Sequence, residues 1–192
     1  MPNLFIISGC SGAGKTTASY TILPDILDCR EFVNADNIAY GISPFNVEGV
    51  AIEAGRIMLH RINELIDLNL DFAIETTLAT RSYVSLVRRA KACGYKVTLL
   101  YIWLNSPELA IQRVAERVRK GGHNIPQEVI VRRYRKGIEN FFKLFMPVCD
   151  TWILADNSFG ALQVIAQGED GFVNVIGNTD LWAVVNNQGN GS

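Results

Sequence analysis

The sequence predicts a single α/β domain over residues 1–192, with a mainly parallel five-stranded sheet held between two layers of helices. Three observations lead to this expectation. Short runs rich in apolar and β-branched residues alternate with longer stretches of helical period, as in strands joined by crossover helices. A glycine-rich turn follows the first run directly and opens the first helix. A chain of 192 residues is long enough for one sizeable core and gives no reason for a second domain.

The elements follow in order. Residues 4–8 form the first strand and 15–22 the first helix; 32–34 and 72–75 form the next two strands, separated by a helix over 47–68. A helix over 81–93 leads to the fourth strand, 97–104. The next helix, 107–120, has a marked start: Ser106 suits the cap, Pro107 the first helical position, and Glu108 the positive end of the dipole. Gly121-Gly122 stops it. Ile111, Val114, Ala115 and Val118 make its buried stripe, and Arg113 and Arg117, one turn apart, project from a neighbouring face. A helix over 127–145 precedes the fifth strand, 151–154, and closes a core of about residues 3–160. A small C-terminal hairpin and helix occupy about 161–186. Runs 162–166 and 172–176 flank Gly168-Glu169-Asp170-Gly171, and a short helix at 180–185 lays Trp182 on the body. The polar residues 186–192 are expected to fray.

With 48% hydrophobic and 19% charged residues and a net charge of -1, the composition is that of an ordinary soluble globular protein. It argues against a disordered chain and against a generally basic nucleic-acid binder. The apolar run before Ser8 and Gly9 is only strand length, so the N-terminus does not read as a signal peptide, and no run is long enough to cross a bilayer. Cys10, Cys29, Cys93 and Cys149 lack metal-type or redox-type spacing, which predicts reduced thiols in a cytoplasm.

The segment Gly9-Cys10-Ser11-Gly12-Ala13-Gly14-Lys15-Thr16 fits G-x-x-x-x-G-K-[ST] in the context the motif requires, after a strand and at the mouth of a helix. It specifies the fold class further, as a three-layer P-loop NTPase fold. Glycines let successive N–H groups and the helix N-terminus face an anion, Lys15 reaches the outer phosphates, and Thr16 offers its hydroxyl to Mg²⁺. The expected ligand is a nucleoside triphosphate, ATP with Mg²⁺, held by Gly9 to Thr16 and the following Thr17. Cys10 reads as a filler position rather than a reactive thiol.

Ligands in parallel sheets sit beyond the carboxyl ends of the strands, which singles out two acids. Asp36 follows the second strand, and is either the N-cap of a helix beginning at Asn37-Ile38 or the group that takes the proton of a hydroxyl attacking the γ-phosphate. Glu75 ends the third strand, and is either a solvated strand-end acid or a group that touches Mg²⁺ or the acceptor. The fourth strand ends in Leu104-Asn105-Ser106 without a carboxylate.

From 113 to 136 lie Arg113, Arg117, Arg119, Lys120, Arg132, Arg133, Arg135 and Lys136 against only Glu116 and Glu128. Part of this excess is a solvated helical face. The rest can close over a transferring phosphoryl group as a helical lid, with Gly121-Gly122-His123-Asn124 as its joint. His123 is either an anion contact or a plain lid residue.

These blocks together resemble the zeta-toxin-like P-loop kinases. The likeness rests on the phosphate loop, Val33-Asn34-Ala35-Asp36-Asn37-Ile38, Glu75-Thr76-Thr77, Tyr101-Ile102-Trp103-Leu104 before Ser106-Pro107-Glu108, the stretch from Arg113 through Gly121-Gly122-His123 to Ile125-Pro126, Arg132-Arg133-Tyr134 and Asp156-Asn157-Ser158. The resemblance implies a kinase that moves the γ-phosphate of ATP to a hydroxyl of a small molecule; toxin members use the sugar of UDP-N-acetylglucosamine. By the same likeness Asp36, Lys15, Arg113 and Arg117 are catalytic, and Glu75, Thr77, Arg119 and His123 border the acceptor. Thr16 and Glu75 take the metal, and Asp156 and Asn157 border the adenine. An inhibitory antitoxin-like protein is an implied partner. A nucleic-acid end kinase, a nucleotide kinase and a non-enzymatic nucleotide switch remain the alternatives, and the weak basic and aromatic patterning outside the lid argues against nucleic acid.

Overall fold

A computed structural model describes residues 1–191. The central strands are largely buried, mainly apolar runs, as a parallel sheet covered on both faces demands. Along β1 (Asn3–Gly9), Leu4 and Ile6 face one core while Phe5 and Ile7 face the other, and β4 (Lys96–Trp103) divides in the same way, with Val97, Leu99, Tyr101 and Trp103 opposite Ile102. This two-residue period produces the three layers.

The sheet runs β2-β3-β1-β4-β5-β6-β7, where β2 is Phe32–Val33, β3 Phe72–Thr76, β5 Thr151–Asp156, β6 Gln163–Glu169 and β7 Phe172–Ile176. The first five strands pair in parallel, as expected. The strand count corrects the sequence reading: seven, not five. The C-terminal hairpin does not stand apart but pairs antiparallel onto β5, placing Trp152 opposite Gly168 and sinking Ile165 and Ala166 into the core. Its turn is the two residues Asp170 and Gly171, both at positive φ (48° and 82°), so Gly168 belongs to the strand. That glycine lies so close under the Trp152 ring and the Phe172 carbonyl that a Cβ has no room.

Helices α1 (Lys15–Asp25), α3 (Ala51–Asp67), α4 (Tyr83–Ala92) and α5 (Pro107–Arg119) lie within a few residues of their expected positions, with a 3-10 turn at Glu48–Val50 ahead of α3. A further helix, α2 (Ala35–Ile42), starts before the expected Asn37. On α5 the stripe of Ala110 and Val114 is buried and Ala115 is exposed. The Ser106 cap forms as read, its hydroxyl accepting from the Leu109 N–H at 3.1 Å. Ser106→Ala is expected to cost about 1 kcal/mol, seen as a lower urea midpoint at unchanged slope.

Helix α6 (Gln127–Asn140) crosses the carboxyl ends of the strands, because Ile130 and Tyr134 join one core and Ile138 the other. A π turn at Phe141–Phe145 continues it and buries three phenylalanines. The last helix, α7 (Thr179–Asn190), is capped by Asn178 and twice as long as expected. Residues 186–190 hold their helical form because Gln188 Oε1 accepts from Trp103 Nε1 at 3.0 Å and Gly189 seats directly on the Phe142 ring. Trp182 stacks on Trp152 at 6.1 Å between centroids, as the sequence suggests. Of the tail expected to fray, Ser192 lies outside the described residues.

Candidate active site

At the end of β1 the chain turns back through Gly9 (φ 140°), Gly12 (83°) and Gly14 (88°) and enters α1 at Lys15. No side chain caps α1, so its first N–H groups face the cleft without a side-chain acceptor, as anion binding requires. Cys10 is buried beneath the loop and burial pushes its thiol up to about 11, which fits a filler position.

The nucleotide-side residues are tied to the acid on β3. Lys15 Nζ donates to the Cys10 carbonyl at 3.0 Å and stands 3.7 Å from Glu75 Oε1. Thr16 Oγ1 and Asn34 Nδ2 each donate to Glu75 Oε2 at 2.8 Å. Glu75 is therefore no solvated strand-end acid: its side chain is 8% exposed, and β3 neighbours β1 with Ile7 opposite Glu75. This arrangement supplies the carboxylate that the fourth strand lacks.

Asn34 also takes the capping position that was one alternative for the second acid. Its Oδ1 accepts from the Asp36 N–H at 2.8 Å and from the Asn37 N–H at 3.3 Å, so Asn34 caps α2. Asp36 sits in the first turn with its carboxylate unclaimed by the helix, 59% exposed and 4.0 Å from His123 Nε2. It lines the same cleft of about 840 Å³ as Gly12, Gly14, Lys15, Thr16 and Thr17.

The basic residues divide. Arg113, Arg117, Lys120 and Arg133 line the cleft, whereas Arg119 is exposed outside it. Arg113 Nη2 donates to the carbonyls of Asn157 and Ser158 at 2.7 and 3.0 Å, which anchors α5 to the loop after β5. Arg117 donates to the His123 carbonyl at 3.2 Å, and its buried Nε has no partner among the described residues. From α6, Arg133 Nη1 approaches Ser11 Oγ at 3.4 Å. Asn157 Nδ2 holds the phosphate loop through the Ala13 carbonyl at 2.8 Å. Asp156 is not among the residues lining the cleft: it is 3% exposed and its Oδ1 accepts from the backbone and hydroxyl of Ser158. Its carboxylate is thus used to fold the loop after β5.

Sequence reasoning missed Asn34 as the bridge between the two acids, and Tyr40, Thr80, Tyr83 and Glu116 in the cleft wall. Tyr40 was within reach of the pattern, as it lies one turn beyond Asp36.

Burial, with Arg117 and Arg133 nearby, pushes His123 below its ordinary value of 6.5 against the pull of Asp36 and Glu48. It is therefore neutral at pH 7, and its approach to Asp36 is not an ion pair there. The unfolded chain takes up this proton before the folded one, so stability falls as pH drops past 6.5 and the penalty is complete below the folded value. His123→Gln is expected to reduce the fall in urea midpoint between about pH 7 and 5.

A parallel sheet whose central strand feeds a glycine loop and an uncapped helix, with a lysine, a threonine and a carboxylate clustered there, defines a P-loop α/β protein. The chain belongs to the zeta toxin family, whose profile (Zeta toxin) matches residues 1–146. Over 126 residues it is 32% identical to an uncharacterized protein of Haemophilus influenzae, covering 66% of this chain and 88% of that one. The fold is shared with a chain of the AvrRxo1-ORF1:-ORF2 complex with ATP (TM-score 0.80, 18% identity), covering 96% of this chain but only 63% of that one. It is likewise similar to a chain of the PezAT chromosomal toxin-antitoxin system of Streptococcus pneumoniae (0.71, 18%, 95% and 77% of the two chains). A putative kinase from Chloroflexus aurantiacus also matches (0.62, 15%, 82% and 86%). No helix among the described residues is long and apolar enough to cross a membrane.

Proposed function

We propose that the protein is a kinase that transfers the γ-phosphoryl group of ATP to a hydroxyl of a small molecule. The observation that carries this reading is Asp36, a carboxylate freed from capping by Asn34 and placed in one cleft with Lys15 and Thr16. In the reaction, the acceptor oxygen forms a bond to the γ-phosphorus as the bond to the bridging oxygen breaks. The hydroxyl proton passes to Asp36 and the electron pair leaves with ADP. Lys15 and the α1 N-terminus hold the phosphates, and Arg117 and Arg133 face the charge that spreads over the transferring group. Arg113 anchors the wall beside them.

The adjoining oxygens of Thr16 and Glu75 suit a hard cation, so these two residues would hold Mg²⁺, which would supply positive charge beside the phosphates. The family likeness offers a nucleotide-sugar such as UDP-N-acetylglucosamine as one acceptor, and the PezAT relative makes an inhibitory antitoxin-like partner part of the proposal.

The test is ADP release by the purified protein with UDP-sugars, free sugars, nucleosides and short oligonucleotides. Turnover should require one of the small-molecule classes. ATP hydrolysis indifferent to every added acceptor would refute the kinase reading.

A further inference from the structure

Helix α6 reaches across the cleft with one face. Arg133, Gly137 and Asn140 are spaced by four and three residues, so they lie in line along one side of the helix. Arg133 Nη1 approaches Ser11 Oγ in the phosphate loop at 3.4 Å. Gly137 lies against the segment that follows β3: a Cβ there would stand 2.6 Å from the Thr77 carbonyl oxygen and 2.8 Å from the Tyr101 hydroxyl. Asn140 is buried, 4% exposed, and its Nδ2 donates to the Leu78 carbonyl at 2.6 Å. At a rise of about 1.5 Å per residue, α6 keeps Gly137 and Asn140 about 6 and 10 Å from Arg133 along its axis. The π turn at Phe141–Phe145 follows Asn140 directly and buries three phenylalanines, so this end of the helix is firmly seated.

The segment that α6 holds is strained. Leu78 has a φ of 54°, in the left-handed region that a side chain disfavours. Its side chain is fully buried, its N–H donates to Thr76 Oγ1 at 3.1 Å, and its carbonyl is taken by Asn140. Such a conformation persists where the surroundings over-determine it, and it is common beside reacting groups. The residue it places is Thr77, which lines the cleft two positions beyond Glu75. Because β2 pairs with β3, Asp36 and Thr77 emerge from adjacent strands into the same cleft, so a hydroxyl presented to Asp36 lies beside Thr77.

We propose that Asn140 is a positioning residue for phosphoryl transfer: with Gly137 it makes α6 a spacer that sets the wall at Thr77 in register with Arg133 and the phosphate loop. The inference rests on the kinase reading of the cleft. Asn140 touches no reactant; it fixes the distance across which an acceptor hydroxyl meets the transferring group. A misplacement of about 1 Å at that point can lower the rate by ~100-fold.

Asn140→Ala tests the assignment beside Tyr95→Phe. The Tyr95 hydroxyl donates to the carbonyls of Leu65 and Leu70 at 3.0 and 2.9 Å, near the opposite end of β3, so its removal costs buried hydrogen bonds remote from the cleft. The acceptor probe is UDP-N-acetylglucosamine, or whichever acceptor the ADP-release screen makes productive. Asn140→Ala is expected to lower kcat/KM for the acceptor by about 10- to 100-fold with the KM for ATP unchanged, and Tyr95→Phe to leave both as they are. Hydrogen exchange should quicken over residues 76–80 in Asn140→Ala and not in Tyr95→Phe. Wild-type acceptor kinetics in Asn140→Ala, or a loss that Tyr95→Phe matches, overturns the proposal. Should Asn140→Ala fail to fold, Asn140→Leu, similar in shape but without the amide, takes its place.

If the wild-type protein phosphorylates no acceptor, the kinase reading falls and hydrogen exchange decides the role of Asn140. Quickening confined to 76–80 upholds the spacer, whereas unchanged exchange, or quickening along the whole chain, overturns it.

Discussion

Asp36→Asn is expected to lower kcat for acceptor-dependent ADP release by about 10²–10⁴-fold while leaving ATP affinity unchanged. The substitution keeps shape and hydrogen-bonding size, and the fold does not rely on the carboxylate, because α2 is capped by Asn34 and Asp36 is more than half exposed. What it removes is the acceptor for the hydroxyl proton. Steady-state kinetics beside an equilibrium ATP-binding measurement check it. A variant that binds ATP normally and phosphorylates at the full rate would show that Asp36 has no catalytic part.

Lys15→Ala is expected to reduce kcat/KM by about 10²–10³-fold and to weaken ATP binding, since it deletes the one ammonium inside the phosphate loop. The fold should survive. Glu75 keeps its hydrogen bonds from Thr16 and Asn34, so the buried carboxylate is not orphaned by losing a cation 3.7 Å away. Retained circular dichroism with lost turnover is the expected combination. Loss of the folded state would instead mean that the lysine serves structure first.

The sequence makes the sheet and its phosphate loop legible because both depend on local signals, a strand-length apolar run and a glycine spacing that few other structures use. Asp36 was legible as a candidate but not as a choice between cap and base. Two Asx residues, Asn34 and Asp36, compete for one helix start, and only the register of the first turn decides between them. Glu75 stayed open between a solvated acid and a functional one for another reason: its burial depends on Asn34 and Thr16, contacts 41 and 59 residues away along the chain. The same long-range dependence hid the joining of the hairpin to β5.

Helix α7 carries a practical consequence for anyone who trims this protein. The family match ends at residue 146, yet Gln188 hydrogen-bonds Trp103 on the central sheet and Gly189 beds against Phe142 beside the helix that delivers Arg133. A fragment stopped at the family boundary would shed the buried strand β5 and strip this support from the wall that closes the nucleotide side. Deleting residues 181–191 would uncover Trp152 and Phe142, so helix α7 acts as a keystone for the sheet and α6 rather than as a dispensable appendage.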